Sequence, residues 1–193
     1  MGRPGGINTI VHHLVGGYLQ PGDVAVDATA GNGHDTVFLA QKVGEKGFVY
    51  AFDIQLEALD QTERRLREEG LRERVQLIQA GHEEMDRYVE KRPVKAVMFN
   101  LGYLPGSDKK VITRPETTLK AVQAALNLLA PGGVVSITVY TGHPGGEEES
   151  DALATLFSTL DGREFAVLKG FYVNRSSKAP FFYLVEKTGG RGR

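Results

Sequence analysis

The chain has no cysteine among its 193 residues. Disulfides, thiolate catalysis and thiolate metal sites are therefore excluded. No apolar run approaches the roughly 20 residues that a membrane-spanning helix needs, and the start "MGRPGGINTIVHHLVGGYLQ" lacks the apolar core and cleavage pattern of a secretion signal. The five histidines have no metal-ligand spacing, since His12 and His13 are adjacent on a predicted helix and point in different directions. These absences predict a cytoplasmic protein without a membrane or metal partner.

Charge of one sign is also lacking, because the formal net charge is −1. Such a balance gives no overall attraction to nucleic acid, so any RNA binding would use a local basic patch. The 41% hydrophobic and 24% charged content is that of an ordinary soluble globular protein. With no internal repeat and no long linker, the sequence predicts one domain over residues 1–193.

Short apolar runs rich in valine, isoleucine and aromatic residues alternate with longer segments of helical periodicity. The runs predict strands at 24–29, 48–54, 75–80, 94–100, 134–140, 164–173 and 180–187. Helices are predicted at about 7–19 and at 34–43, 56–69, 83–90, 115–129 and 147–160. Strands alternating with helices predict an α/β fold with a doubly wound, mostly parallel sheet. The last two strands predict an antiparallel hairpin at about 164–187, at the edge of the sheet.

The stretch "VDATAGNGHDT", residues 26–36, joins the first strand to the next helix. Ligands of open parallel sheets bind beyond the carboxyl ends of the strands, which is where this stretch lies. Gly31 and Gly33 would let the backbone approach a ligand closely, because glycine has no Cβ. Two glycines alone are weak evidence, and a plain strand-to-helix turn explains them equally well.

Two acidic residues strengthen the interpretation of this loop as a nucleotide site. Asp27 precedes the glycines in the spacing D-x-T-x-G-x-G, and Asp53 closes the second strand. An acid at the end of the second strand can accept hydrogen bonds from ribose hydroxyls. The alternatives are that Asp53 caps the helix after Gln55 and that Asp27 is a buried carboxylate capping the loop amides.

An NAD site fits this pattern poorly. The NAD fingerprint has glycine or alanine where this chain has Thr36, and a carboxylate at Asp27 would repel a pyrophosphate. A sulfonium and an amino group would instead be attracted. The stretch resembles the loop of class I S-adenosylmethionine (SAM)-dependent methyltransferases, with Thr29 where that pattern usually has its first glycine.

This resemblance implies a Rossmann-like fold with helices on both faces of the sheet. It also implies SAM as cofactor, with S-adenosylhomocysteine as product. The residues implied to bind the cofactor are Asp27, Thr29, Gly31, Asn32, Gly33, Asp35, Thr36, Asp53, Ile54, Gln55, Gly81, His82 and Asn100.

A second motif follows the fourth strand, in "FNLGYLPG". Its "NLGY" is similar to the N-P-P-Y signature of amino-group methyltransferases, with Leu101 and Gly102 in place of the two prolines. The similarity implies that Asn100 and the Leu101 carbonyl orient the target amine and that Tyr103 packs on the substrate base. Alternatively, Asn100 merely ends a strand and Tyr103 packs within a loop.

Other candidates are supported by position alone. His82, after the third strand, could contact adenine or be an exposed residue at a helix start. His143, in a Gly/Pro loop, could line the substrate entrance or be structural. Asn174, Arg175 and Lys178 lie between the last two strands, where positive charge could meet a phosphate backbone or only water.

Taken together, "INTIVHHLV", "VDATAGNGHDT", "FNLGYLPG" and "NRSSKAPFFYLVEK" resemble a small bacterial family labelled as rRNA methylases. The characterised members of that family modify the wobble uridine of tRNA. The resemblance covers nearly the whole chain and implies a seven-stranded sheet whose last strand is antiparallel. It also implies methyl transfer from SAM to the aminomethyl group of 5-aminomethyl-2-thiouridine in the tRNA anticodon loop.

Three alternatives stay open on the sequence alone. The same fold could methylate rRNA or a small-molecule amine, the chain could bind SAM without catalysis, or it could be an NAD-linked oxidoreductase. The near-neutral charge favours recognition of a small structured RNA element, or a groove completed by a second subunit in a homodimer.

Overall fold

The computed structural model describes residues 6–89, 92–102, 114–142, 144–176 and 178–189. Its centre is one seven-stranded sheet in the order β3-β2-β1-β4-β5-β7-β6. The strands are β1 (Val24–Asp27), β2 (Phe48–Asp53), β3 (Val75–Gln79), β4 (Val94–Leu101), β5 (Leu129–Val139), β6 (Phe165–Gly170) and β7 (Phe181–Lys187).

Strands β1 to β5 pair in parallel, and β7 pairs antiparallel with both β5 and β6. The predicted mostly parallel sheet with an antiparallel C-terminal strand is confirmed. The hairpin enters the sheet through its second strand, because β7 lies between β5 and β6 and leaves β6 at the edge.

Helices cover both faces of this sheet, as predicted. They are α1 (Ile7–Gly16), α2 (His34–Val43), α3 (Leu56–Glu68), α4 (Met85–Tyr88), α5 (Pro115–Leu128) and α6 (Gly146–Ser158), with 3-10 turns at Arg72–Arg74 and His82–Glu84. One hydrophobic cluster contains side chains of α4, α5 and α6, and a second contains side chains of α1, α2 and α3. Burial on both faces explains why the central strands are almost continuously apolar.

Several elements differ in extent from their predicted ranges, among them α1, α4 and β5. Helix α1 ends at Gly16, inside the predicted range 7–19, and the Gly17 N–H closes its last turn on the Leu14 carbonyl at 3.1 Å. The predicted helix at 83–90 is reduced to α4 after a 3-10 turn. The segment "APGG" does not separate α5 from β5, because β5 begins at Leu129 and its pairing with β4 shifts register across this segment.

Within the described ranges, no helix is long and apolar enough to cross a membrane.

Candidate active site

The candidate site lies at the carboxyl ends of β1, β2 and β4. Strand β1 pairs in parallel with both neighbours, so that Asp27 faces Ala51 of β2 on one side and Met98 of β4 on the other. The ends of these three strands carry Asp27, Asp53 and Asn100. This edge is also where the strand order reverses, which is the usual ligand position in an open α/β sheet.

The glycine loop between β1 and α2 is fixed from two sides. The Gly31 N–H donates to Asp53 Oδ2 at 2.9 Å, which ties the loop to the end of β2. On the other side, Thr62 Oγ1 donates to the Gly31 carbonyl at 3.1 Å and Arg65 Nε donates to the Asn32 carbonyl at 2.8 Å. Helix α3 therefore sets the shape of the loop, a contribution that the motif itself did not reveal.

Position 33 requires glycine for the conformation and packing of the loop, whether or not a ligand approaches it. Its φ is +78°, in the left-handed region that favours glycine. A Cβ at this position would lie 3.0 Å from both Cα and Oγ1 of Thr62. Helix α3 thus packs directly against the start of α2, and this packing depends on the missing side chain.

Asp27 is a buried carboxylate, as one of the two interpretations of the sequence predicts. It is fully buried and accepts hydrogen bonds from the Thr29 N–H at 3.1 Å and from Thr36 Oγ1 at 2.5 Å. Burial, reinforced by the nearby Asp35 charge, raises the pKa of Asp27 to about 7 despite these two bonds. The carboxyl therefore organises the loop, with Thr36 on α2 as its side-chain partner.

Asp53 binds two backbone amides at the end of β2. Its Oδ2 accepts from Gly31 and its Oδ1 accepts from the Gln55 N–H, each at 2.9 Å. Burial raises the pKa of Asp53, while the hydrogen bonds from Gln55 and Gly31 act in the opposite direction. The neighbouring Ile54 and Leu56 side chains are apolar yet more than half exposed, which leaves an apolar surface beside this carboxylate.

Asn100, at the end of β4, carries an acceptor that has no donor within the described ranges. Its backbone N–H donates to Thr29 Oγ1 at 2.8 Å, and its side-chain Nδ2 donates to Asp35 Oδ2. The Oδ1 atom is buried and accepts no hydrogen bond from the described part of the chain. A buried acceptor without a partner costs about 1–3 kcal/mol, so this atom is suited to a ligand that brings an N–H or O–H group.

Two residues of α1 reach the same region, although the sequence did not single them out. His12 Nε2 lies 2.5 Å from Asp35 Oδ1, and the Tyr140 hydroxyl donates to Asn8 Oδ1 at 3.3 Å. Asn8 and His12 are four residues apart, so they share one face of the helix. That spacing of polar residues on an otherwise apolar helix is the signal that could have revealed them.

His82 is buried and not an exposed residue at a helix start. It begins the 3-10 turn after Gly81, and its ring meets Phe99 edge-on with centroids 5.7 Å apart. Burial lowers its pKa, and a hydrogen bond with the Ala28 backbone opposes this shift. The alternative of an exposed helix-start histidine is therefore wrong. An adenine contact stays a prediction.

The predicted substrate residues fall into two groups. The first lies in the loop before β7, at the carboxyl end of β5, because Phe181 at the start of β7 faces Val139. The second lies outside the described residues. Tyr103 and His143 belong to the second group. Asn174, Arg175 and Lys178 are exposed, and the Arg175 guanidinium stacks on the Tyr172 ring at 3.9 Å.

Lys178 lines a cavity of about 360 Å³ at the start of α6. Glu147 and Glu148 line the same cavity, so the positive charge there has acidic neighbours.

The carboxyl groups at this edge of the sheet fit SAM. Asp27, Asp35 and Asp53 place three carboxyl groups around the glycine loop, and the parallel pairing of β1 with β2 puts Asp27 and Asp53 on adjacent strands. Such a set favours a ligand with positive charge and disfavours a pyrophosphate. In the part of the chain that the structure describes, no group of three or more His, Asp or Glu side chains is arranged to hold a metal ion.

Comparison with known proteins decides the family. The sequence model of the family described as "Putative rRNA methylase" matches residues 49–186, well over half of the chain. The chain belongs to this family.

A protein of Arabidopsis thaliana named tRNA (mnm(5)s(2)U34)-methyltransferase, chloroplastic, is 42% identical over 166 residues, which cover 81% of this chain and 61% of that protein. The chain thus spans less than two thirds of that relative's length.

Solved structures of relatives agree on the fold, and one of them holds S-adenosylhomocysteine (SAH), the product that SAM leaves after methyl transfer. A protein of Clostridium thermocellum described as a "putative rRNA-methylase" superposes with a TM-score of 0.92 at 40% identity, covering 96% of this chain and 100% of that one. A "putative methyltransferase" of Streptococcus mutans in complex with SAH gives a TM-score of 0.85 at 38% identity, covering 97% and 99%. The chain is a SAM-dependent methyltransferase of the class I fold, and the NAD alternative is not supported.

The raised pKa of Asp27 predicts a distinct pH dependence of stability. Because the native pKa of about 7 exceeds the unfolded value of 3.8, the native state binds more protons between these two pH values. Proton binding by Asp27 therefore adds to the free energy of unfolding at low pH, and this contribution is lost as pH rises towards 7. The free energy of unfolding falls by at most about 1.4 kcal/mol per pH unit from this cause. Asp27→Asn removes this contribution. Urea denaturation between pH 4.5 and 7.5 should show a wild-type advantage over Asp27→Asn that shrinks as pH rises.

The control for this measurement is Asp60→Asn, which makes the same chemical change at an exposed position on α3. Its stability should follow the wild-type pH profile. Parallel profiles for wild type and Asp27→Asn would show that Asp27 does not titrate with a raised pKa.

Proposed function

We propose that this chain transfers a methyl group to the aminomethyl group of 5-aminomethyl-2-thiouridine at the wobble position of a tRNA anticodon. The observation that carries the proposal is the buried Asn100 Oδ1, which has no hydrogen-bond donor within the described residues. A neutral primary amine offers N–H groups to such an acceptor. The name of the Arabidopsis relative supports tRNA as the substrate class.

Methyl transfer to a neutral amine requires that the protein orient the amine, and it does not require a strong base. When bound, SAM supplies an electrophilic methyl group on a sulfonium. Asn100 Oδ1 accepts one N–H of the amine, and the Leu101 carbonyl is the proposed second acceptor, so that the nitrogen lone pair is aimed at the methyl group. Formation of the N–C bond would break the bond between the methyl carbon and sulfur, whose electron pair stays with the departing thioether, S-adenosylhomocysteine. The nitrogen becomes positively charged, and one of its protons then leaves to water. Packing of Tyr103 on the base stays a prediction.

The cofactor contacts are part of the same proposal. Each Asp53 oxygen accepts one backbone N–H and retains a further lone pair for a ribose hydroxyl. The exposed Ile54 side chain offers an apolar surface for the adenine, near the buried His82. The other residues assigned to cofactor binding from the sequence keep that assignment as a prediction: Asp27, Thr29, Gly31, Asn32, Gly33, Asp35, Thr36, Gln55 and Gly81, together with Asn100 in addition to its amine contact.

We assign RNA contact to a local basic patch, because a chain with a net charge of −1 has no overall attraction to RNA. Arg175 and Lys178, with Asn174 beside them, are exposed in the loop before β7 and can meet phosphate oxygens. We further propose that residues 1–193 form one methyltransferase domain, that it acts in the cytoplasm where tRNA is available, and that a homodimer completes the RNA groove.

Loss of the Asp53 carboxylate should weaken SAM binding. Asp53→Ala removes the proposed ribose acceptor and releases the Gly31 and Gln55 amides. Because hydrogen bonds to a charged group contribute about 1.5–3 kcal/mol, we expect the Kd for SAM in calorimetry to rise about 10- to 100-fold. Asp60→Ala, an exposed change on α3, should bind SAM like wild type. An unchanged Kd for Asp53→Ala would refute the assignment.

Loss of the Asn100 carboxamide should slow methyl transfer without a matching loss of SAM binding. With an anticodon stem-loop containing 5-aminomethyl-2-thiouridine, we expect Asn100→Ala to lower kcat about 100-fold, because misorientation of a reacting group has effects of this size. The matched control is Asn127→Ala, an exposed asparagine on α5. Turnover of this RNA by Asn100→Ala at the wild-type rate would contradict the proposed amine contact.

The substrate itself is tested in cells that lack the protein. Mass spectrometry of nucleosides from their tRNA should show 5-aminomethyl-2-thiouridine in place of its methylated form. An unaltered wobble uridine would refute the tRNA proposal, and loss of a methylated nucleoside from rRNA would establish the rRNA alternative.

A further inference from the structure

The Asp35 carboxylate lies between two side chains from distant parts of the sequence. Its Oδ1 is 2.5 Å from His12 Nε2 on α1, and its Oδ2 accepts a hydrogen bond from Asn100 Nδ2 on β4. Asp35 itself is buried at the start of α2. Both of its oxygens are therefore engaged by protein groups, and the three residues form a chain from α1 to the end of β4.

This chain determines which way the Asn100 carboxamide faces. An ionised carboxylate can only accept hydrogen bonds, so the Asn100 Nδ2 group must face Asp35. The opposite orientation would bring two oxygens into contact. With Nδ2 held by Asp35 and the backbone N–H held by Thr29 Oγ1, Oδ1 is left on the side away from both, buried and without a partner in the described ranges.

His12 is itself held in place by packing. Its ring stacks on Phe38 of α2, with centroids 4.1 Å apart and planes within 7°. Its helix is anchored by Val11 and Val15, which are buried in the cluster beneath α1 and α2. The imidazole can therefore keep Asp35 from rotating away from Asn100.

We propose that His12 and Asp35 are positioning residues that orient the Asn100 carboxamide so that its oxygen faces the methyl acceptor. The identity of that acceptor as an amine rests on the proposed function, whereas the orientation itself does not. A purely structural role, in which the His12–Asp35 contact only ties α1 to α2, would affect folding stability and leave turnover of the folded enzyme unchanged.

Kinetics of paired His12 variants distinguish these roles. His12→Phe keeps a ring to stack on Phe38 but removes the N–H donor, and His12→Gln keeps a donor without the ring. On the anticodon stem-loop, we expect His12→Phe to lower kcat about 10- to 100-fold, as is typical when the partner of a functional side chain is lost. The Kd for SAM should change less than about two-fold, and His12→Gln should recover most of the rate.

The matched control is His13→Phe, which places the same residue at the next, exposed position of α1. It should turn over RNA like wild type. The proposal is overturned if His12→Phe and His13→Phe have the same kcat, or if His12→Phe raises the Kd for SAM by the factor by which it lowers kcat.

A second measurement needs no substrate. The Asn100 side-chain amide signal in an ¹⁵N spectrum is assigned by its absence in Asn100→Asp, and the exchange of its protons with water is then measured. We expect slow exchange in wild type and His12→Gln, and exchange at least about 10-fold faster in His12→Phe and Asp35→Leu, because the shared carboxylate no longer holds the amide.

Equal exchange rates in all four proteins would refute the positioning role. If wild type instead fails to methylate the RNA while these exchange differences appear, the proposed substrate is wrong and the orientation of Asn100 stands.

Discussion

The parallel pairing of β1 with both β2 and β4 is the constraint on which the rest of the site depends. It brings the ends of three strands to one edge of the sheet, although Asp27, Asp53 and Asn100 are far apart in the sequence. Side chains at these ends are partly shielded from water, so their polar atoms need partners within the protein. The glycine loop and α2 supply them, because the Gly31 backbone N–H donates to Asp53 and the Asn100 side-chain amide donates to Asp35.

The three carboxyl groups around this loop are stabilised in different ways, and this refines the charge argument for SAM. Asp27 is fully buried with a pKa raised to about 7, so it carries only part of a negative charge near neutral pH. Asp53 is held by backbone amides, and Asp35 is held by His12 and Asn100. Attraction of a sulfonium and an amino group therefore depends less on Asp27 than the position of Asp27 in the motif suggests.

Sequence patterns predicted those features that depend on neighbours along the chain. Alternating apolar runs predicted the seven strands and the helices that separate most of them. The acid at the end of β2 was predicted from its position, but its hydrogen bond from Gly31 was not. Contacts between distant segments were not predictable in this way. The His12–Asp35 pair spans 23 residues and the Tyr140–Asn8 pair spans 132, and no local motif encodes either. The packing of Gly33 against Thr62 was likewise not predicted, since a glycine in such a loop is explained equally well by close approach of a ligand.

The Asn100 oxygen, which has no donor among the described residues, also bears on which nucleophile the site favours. A hydroxyl must lose its proton to attack a methyl group, and the resulting oxyanion would have no hydrogen to donate to Oδ1. It would also be repelled by the carboxylates that surround the loop. A neutral amine attacks through its lone pair while its N–H groups remain available as donors. The positive charge that then develops on nitrogen is stabilised by the same oxygen and by the negative charge nearby. An acceptor whose amide is held by Asp35, and which has no donor among the described residues, therefore supports the proposed transfer to an amine, and its proposed orientation traces back to a histidine on the first helix.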